Sequence, residues 1–319
     1  MAKIINPFIV TGKIAPEYFC DRVSESARLV KSVTNGNNLV VISPRRMGKT
    51  GLIQFCYDKP EIGKEYYTFF IDILHTSSLR EFTYLLGREI YETLLPRSRK
   101  MATLFIQTIK SISGKFGFDP ITNLPAFNVE LGDIERPEYT LDEIFQYLAH
   151  ADKPCIVAID EFQQIMEYPE KGVEGLLRSY IQFLPNVHFI FSGSKKHLME
   201  YIFFSIKRPF YQSTQKLFLD KISKEVYFSF AHSFFEKEGK ELPEEIFDKV
   251  YTWVDGHTWY VQYLLNRLFA LPEKTLSPEL LDSLMMEILR EEEYTYQTYF
   301  QLLTFNQIQL LKAIAKEGI

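Results

Sequence analysis

Cysteine is scarce in this 319-residue chain: Cys20, Cys56 and Cys155 are all it has. They are odd in number, far apart and outside any C-x-x-C pair, which excludes a disulfide framework and a zinc ribbon. Cys56 and Cys155 sit in apolar runs and read as buried free thiols, which suits a reducing compartment. Long apolar runs are also missing. No stretch approaches the roughly 18 residues of a spanning helix, and Met1–Pro7 lacks the apolar core of a signal peptide. The expectation is a soluble, cytoplasmic protein with no membrane partner. An excess of positive charge is absent too: 36 Lys and Arg face 41 Asp and Glu, a net charge of −5. No global basic field therefore points to nucleic acid. There is no G-x-S-x-G elbow, no H-E-x-x-H zinc helix, no dinucleotide fingerprint and no internal repeat.

Aromatic residues are plentiful in one form only, with 27 Phe and 19 Tyr against 2 Trp, so a core is easily built. The length suggests about two domains. Short apolar runs at Leu39–Ile42, Tyr67–Ile73, Cys155–Ile159 and Val187–Phe191 read as strands buried on both faces. A fifth strand is expected at Thr214–Leu219. Amphipathic helices are expected at 21–33, 49–57, 78–95, 141–149 and 175–183. Strands alternating with helices predict a doubly wound parallel sheet sandwiched by helices. The stretch 113–138, punctuated by Gly and Pro, reads as a surface insertion with a half-buried strand over 126–131 and a hairpin. Beyond about residue 222 the strand pattern stops, and helices are expected at 223–238, 243–254, 258–270 and 278–300.

The run Ser43-Pro44-Arg45-Arg46-Met47-Gly48-Lys49-Thr50 joins the first strand to a helix, the context of a phosphate-binding loop. Gly48 lets the backbone approach phosphates, and the amides of the loop and of the helix start at Gly51 face the anion. Lys49 reaches the outer phosphates, and the Thr50 hydroxyl is a ligand for Mg²⁺. Ser43 stands where the usual pattern has Gly. Pro44 after it favours an extended Ser43, which needs no positive φ. The strand Ile156–Ile159 ends in Asp160-Glu161, at the strand end where open α/β sheets bind ligands. Asp160 is the second expected holder of Mg²⁺, and Glu161 the expected base or orienter of a water attacking the γ-phosphate.

Ser43–Thr50 taken with Ile159-Asp160-Glu161-Phe162-Gln163-Gln164 resembles the prokaryotic archaeal-type ATPase family, of the STAND and AAA-like branch of P-loop NTPases. The resemblance extends over roughly residues 6–318. It implies that Phe19–Arg22 with Glu25 packs near the adenine. It makes Phe191–Ser194 a sensor strand, with Ser192 or Ser194 near the γ-phosphate. Arg208–Tyr211 becomes a Pro-centred loop, and Asp255–Tyr260 the start of a helical lid, with His257 facing the nucleotide and Thr258 where Pro is usual. It also implies ATP as ligand and a core domain over 1–222, with the insertion at 113–138. A lid follows over 223–300 and the start of a winged helix over 301–319, truncated or lost. The function expected is an ATP-driven, Mg²⁺-dependent conformational switch with an unidentified protein partner and a nucleotide-dependent oligomer. A binding module with negligible turnover and a DNA-associated ATPase are the alternatives.

Four further features have more than one reading. Arg45 and Arg46 contact phosphates, or a neighbouring subunit or domain, or are solvated. Arg208 is an arginine finger acting catalytically between subunits, or one half of a structural ion pair. Asp72 supports the metal shell or caps the next turn. The locally basic segment 195–224 is a solvated face or a nucleic-acid patch.

Overall fold

The structure, a computed structural model, describes residues 6–115, 117–118, 125–126 and 129–317. In chain order, α1 (Val23–Thr34) precedes β1 (Leu39–Ile42), which leads into α2 (Lys49–Tyr57) and the one-turn α3 (Pro60–Gly63). Next come β2 (Tyr67–Asp72), α4 (Leu79–Arg97) and α5 (Arg99–Thr108). Two short strands follow, β3 (Gly117–Phe118) and β4 (Pro125–Ala126), then α6 (Pro137–Ala149), β5 (Cys155–Asp160) and α7 (Val173–Ile181). The last strands are β6 (Val187–Gly193) and β7 (Gln215–Phe218), separated by α8 (Lys196–Phe204).

The five long strands form one parallel sheet in the order β2-β5-β6-β1-β7. Every residue of β1, β5 and β6 is buried, which is why these strands are apolar without alternation. Alternate side chains serve two different cores. Val40, Ile42, Val157, Ile159, Phe189 and Phe191 pack with residues of α4 through α8 on one face. Leu39, Val41, Ile156, Ala158 and Ile190 pack against α1, α2 and Ile62 of α3 on the other. The expected sandwich is thus present. At the sheet edge only Leu217 of β7 is buried.

Two expectations need correction. The strand expected over 126–131 stops short: Ala126 belongs to β4, paired antiparallel with β3, and residues 127–128 lie outside those described. Leu131–Asp133 is instead a single 3₁₀ turn held by a capping box between Glu130 and Asp133, which satisfies its amides locally and leaves no reason for a ladder. The single helix expected over 278–300 is two, α12 (Pro278–Glu291) and α13 (Glu293–Leu302), broken at Glu292. Three successive glutamates put negative charge at the C-terminal end of α12, where the helix dipole opposes it.

The chain divides into two units. One is Thr11–Ile222 with His257–Trp259; the other comprises residues 6–10, Ser223–Gly256 and Tyr260 onward. The second is helical, with α9 (Lys224–Lys237), α10 (Glu244–Trp253), α11 (Thr258–Ala270), α12, α13 and α14 (Phe305–Glu317). Its core includes Phe8, fully buried against the rings of Phe230, Phe234, Phe235 and Phe269. Reciprocal bonds pin that segment: Asn6 Nδ2 donates to Asn266 O at 2.8 Å, and Asn266 Nδ2 donates to Phe8 O at 2.7 Å. No helix among the described residues is long and apolar enough to cross a membrane.

Candidate nucleotide site

The register of the sheet brings three strand ends into line. Ile42 of β1 lies opposite Gly193, Ile159 opposite Phe191, and Asp72 opposite Asp160. The loop 43–48 leaves this edge and turns into α2 at Gly48, whose φ of 92° is the left-handed conformation that glycine adopts without strain. A Cβ there would meet nothing within 4 Å, so φ and not space requires the glycine. Ser43 keeps a negative φ, and its amide continues the sheet to Gly193 O at 3.4 Å. The substitution of Ser for Gly therefore costs no backbone strain.

Lys49 is only 5% exposed. Its Nζ donates to the carbonyls of Ser43 and Pro44, each at 2.9 Å. Burial pushes its pKa down, the charges of Asp160 and Glu161 push it back up, and Arg45 adds to the lowering. Thr50 Oγ1 donates to Asp160 Oδ2 at 2.6 Å, and Ser192 Oγ to Asp160 Oδ1 at 2.6 Å. Ser194 Oγ donates to Glu161 Oε2, also at 2.6 Å. Glu161 N donates to Asp160 Oδ1 at 3.0 Å, so Thr50, Asp160, Glu161, Ser192 and Ser194 are linked by hydrogen bonds, and Lys49 on the Ser43 carbonyl joins the cluster through the charges of Asp160 and Glu161.

Arg22, buried to 4% exposure, braces the loop from below. Its Nη1 bonds Glu25 at 2.8 Å, while Nη2 donates to Asp220 O at 2.6 Å and Met47 O at 3.4 Å. Phe19 stacks on Phe55 of α2 at 4.4 Å and lies beside Gly51. Arg46, at φ 61°, places its guanidinium 4.2 Å over the Trp259 ring. His257 lies against the backbone of Arg45, and burial lowers its pKa. Trp259 lies within the segment Asp255–Tyr260 that the sequence marks, but its pairing with Arg46 depends on long-range folding that no local pattern reveals. Asp72 accepts from Leu74 N at 2.9 Å, the turn-capping arrangement. Desolvation, followed by the charges of Asp160 and Glu161, raises its pKa.

Arg208 is held elsewhere. Its guanidinium forms a two-bond ion pair with Glu174, touches Met166 Sδ at 3.2 Å and lies 4.6 Å over the Tyr201 ring. It makes none of these contacts with the cluster, and the ion-pair reading describes its geometry.

A family described as an ATPase domain predominantly from Archaea matches residues 19–264. The chain belongs to this family. The matched span contains the whole cluster, so the protein is a P-loop ATPase. No curated protein sequence matches it. Among solved structures, the ATPase is similar to a Walker-type ATPase of Pyrococcus abyssi, with a TM-score of 0.63 at 19% identity, covering 97% of this chain and 83% of that one. It is similar to the Aeropyrum pernix ORC1 protein, solved in complex with DNA, with a TM-score of 0.59 at 12% identity over 97% of this chain and 75% of that one. The Aeropyrum pernix ORC2 protein, in ADPNP and ADP complexes, gives 0.53 at 16% identity over 82% and 67%. At these identities the likeness is one of fold.

Proposed function

We propose that the ATPase hydrolyses ATP at the cluster built by Lys49, Thr50, Asp160 and Glu161, with Mg²⁺, and uses the cycle as a conformational switch of the STAND and AAA-like kind. The observation that carries this is the pair of short bonds on adjacent carboxylates: Thr50 on Asp160 and Ser194 on Glu161.

The donor set fits magnesium. A hydroxyl and a carboxylate at 2.6 Å are hard oxygen donors, and Mg²⁺ takes few protein ligands and keeps waters and phosphate oxygens for the rest. Thr50 and Asp160 would hold it, and when bound it would neutralise charge on the β- and γ-phosphates. Lys49 is bonded to loop carbonyls that a phosphate oxygen can replace, so its charge is already desolvated and aimed along the loop. Glu161 orients a water for in-line attack on the γ-phosphorus. The new P–O bond forms as the bond to the β–γ bridging oxygen breaks, and that oxygen leaves with ADP. The water proton passes to Glu161 or directly to the phosphate. Acidic Asp160-Glu161 favours a positioned water over a hydroxyl acceptor, which argues for a hydrolase and against a small-molecule kinase.

Ser192, Ser194 and His257 are assigned to sensing the phosphates or nucleotide, and the loop amides from Ser43 to Gly51 to cradling them. The three cysteines, all free and each pushed by burial up to about 12, support a reducing cytoplasmic setting. Phosphate release by the wild type and Glu161→Gln, with Mg²⁺ and with a chelator, tests the proposal. The variant should lose about a hundredfold or more in kcat while still binding ATP, and chelation should bring the wild type to background. Equal rates for the two proteins would remove Glu161 from the chemistry.

A further inference from the structure

Glu161 sits at φ 54° and ψ 40°, a left-handed turn that a non-glycine residue enters only when its surroundings fix it. The turn sends the chain into a 3₁₀ helix over Phe162–Glu167, and the reversal brings a side chain two residues later back onto Glu161. That side chain is Gln163, whose Nε2 donates to Glu161 Oε2 at 2.5 Å. Gln163 is 2% exposed. Its carbonyl oxygen Oε1 is buried and without a hydrogen-bond partner among the described residues. A buried acceptor left in this condition is uncommon and calls for an explanation.

The neighbour supplies it. A Cβ built on Gly193 would lie 2.4 Å from Gln163 Oε1 and 2.4 Å from Met199 Sδ, so the amide rests directly on the Gly193 backbone. Phe162 anchors the turn among Phe191, Phe203 and Phe210. One end of the amide is thus wedged against β6, and the other is aimed at Glu161. Ser194, next in the chain after Gly193, donates to the same carboxylate oxygen. Both donors fall on Oε2. Among the described residues none donates to Glu161 Oε1, so that oxygen is left to meet a water.

We propose that Gln163 is a positioning residue: through Nε2 it fixes the rotation of the Glu161 carboxylate so that Oε1 faces the attacking water. This rests on the proposed role of Glu161. The covalent step is unchanged, and Gln163 exchanges no proton.

The test measures Mg-ATP hydrolysis by Gln163→Ala, Gln163→Met and Gln163→Glu beside Glu161→Gln, with binding of a fluorescent ATP analogue as the check on folding. Met keeps the volume and loses the donor; Glu keeps the shape and loses the donor. All three Gln163 variants are expected to lose about tenfold to a hundredfold in kcat, with KM for ATP within about twofold. A side chain that merely packs predicts the reverse, with Gln163→Met near wild type and only Gln163→Ala impaired. A Gln163→Met or Gln163→Glu protein within twofold of wild type in kcat overturns the proposal, as does a loss expressed wholly in KM. If Glu161→Gln retains wild-type turnover, the role of Glu161 itself fails. If Glu161→Gln is inactive and Gln163→Met is normal, only the positioning role fails. Where Gln163→Met does not bind the analogue, Gln163→Glu decides.

Discussion

Carboxylates at the C-terminal edge of the sheet and carboxylates along the helices of the second unit have the same chemistry in opposite surroundings. Asp160 and Glu161 are buried, and their oxygens take hydroxyl and amide donors from Thr50, Ser192, Ser194 and Gln163. Glu287 and Glu291 share Arg267 at the surface, and Asp282 meets Lys249 in the open. Desolvation makes each bond at the first place strong and each missing partner expensive. At the second, water and salt screen the charges, and holding long side chains still offsets most of the gain. The same contrast separates Arg22, buried with two backbone carbonyls and Glu25, from Arg267, which lies on two exposed glutamates. One region desolvates its carboxylates; the other leaves them to water.

Lys49→Ala should give the largest effect. It removes the ammonium bonded to the Ser43 and Pro44 carbonyls, and turnover should fall about 10²–10³-fold, read as phosphate release at saturating ATP. A variant that keeps wild-type turnover would detach the buried cluster from catalysis and erase the contrast. Arg22→Met should be next. The loop carbonyl of Met47, the carbonyl of Asp220 and the Glu25 carboxylate all lose a donor together, at a cost of about 3 kcal/mol in denaturant unfolding. The pair also makes a statement about acid. Burial raises the Glu25 pKa, but its bonds from Ser24 and Arg22 outweigh this and leave it below the ordinary value of 4.5. Its contribution is therefore present above that value and disappears as pH falls through the lower folded pKa.

The sheet and its edge are legible in the sequence because both rest on local rules. An apolar run of four to six residues bounded by turn signals and rich in β-branched residues reads as a doubly buried strand, and Gly48-Lys49-Thr50 and Asp160-Glu161 sit where such strands end. The parallel sheet with helices on both faces follows from strands alternating with helices along the chain, whereas the order β2-β5-β6-β1-β7 comes from the structure alone. What stays hidden is whatever depends on chain folded back from a distance or through an unusual dihedral. Arg22 finds its partners 25 and 198 residues away. Gln163 reaches Glu161 only because Glu161 is left-handed, and Trp259 meets Arg46 across more than two hundred residues of chain. Helix α5 is missed for a local reason: it follows α4 with only Ser98 between them, and Ser98 ends one helix while capping the next. Arg208 is the case where residue type alone left two readings open. Its residue type suits a finger, but its place in the fold suits Glu174.

His188 sharpens the comparison at an intermediate scale, because it is a buried titratable group away from the cluster. It packs edge-on against Tyr66 and near Gly36, and burial lowers its pKa below the ordinary 6.5. Above that value both folded and unfolded chains hold it neutral. As pH falls below it, the unfolded chain takes up a proton that the folded chain refuses, so stability is lost progressively down to the lower folded pKa. His188→Phe should remove this part of the slope. The difference in urea midpoint between pH 7.5 and pH 5.5 should be smaller in the variant, and an unchanged difference would show that His188 is solvated in the folded protein.

Arg267→Ala should do least, although it breaks more ion-pair contacts than any other single change considered. Nη2 meets Glu287 at 2.7 Å and Nη1 meets Glu291 at 2.8 Å, while both carboxylates remain largely in solvent. The hydrogen bonds that Arg267 donates to Glu291 raise its pKa further above an already high value, so the arginine is charged at every accessible pH and cannot act as a switch. The expected loss is about 0.5–1 kcal/mol at low salt, shrinking toward zero in 1 M NaCl. The Arg22→Met loss should barely change over the same range, because salt does not reach it. Two salt titrations of unfolding therefore separate the regions directly. If Arg267→Ala cost as much as Arg22→Met, or kept its cost at high salt, solvent screening would not be the difference between them.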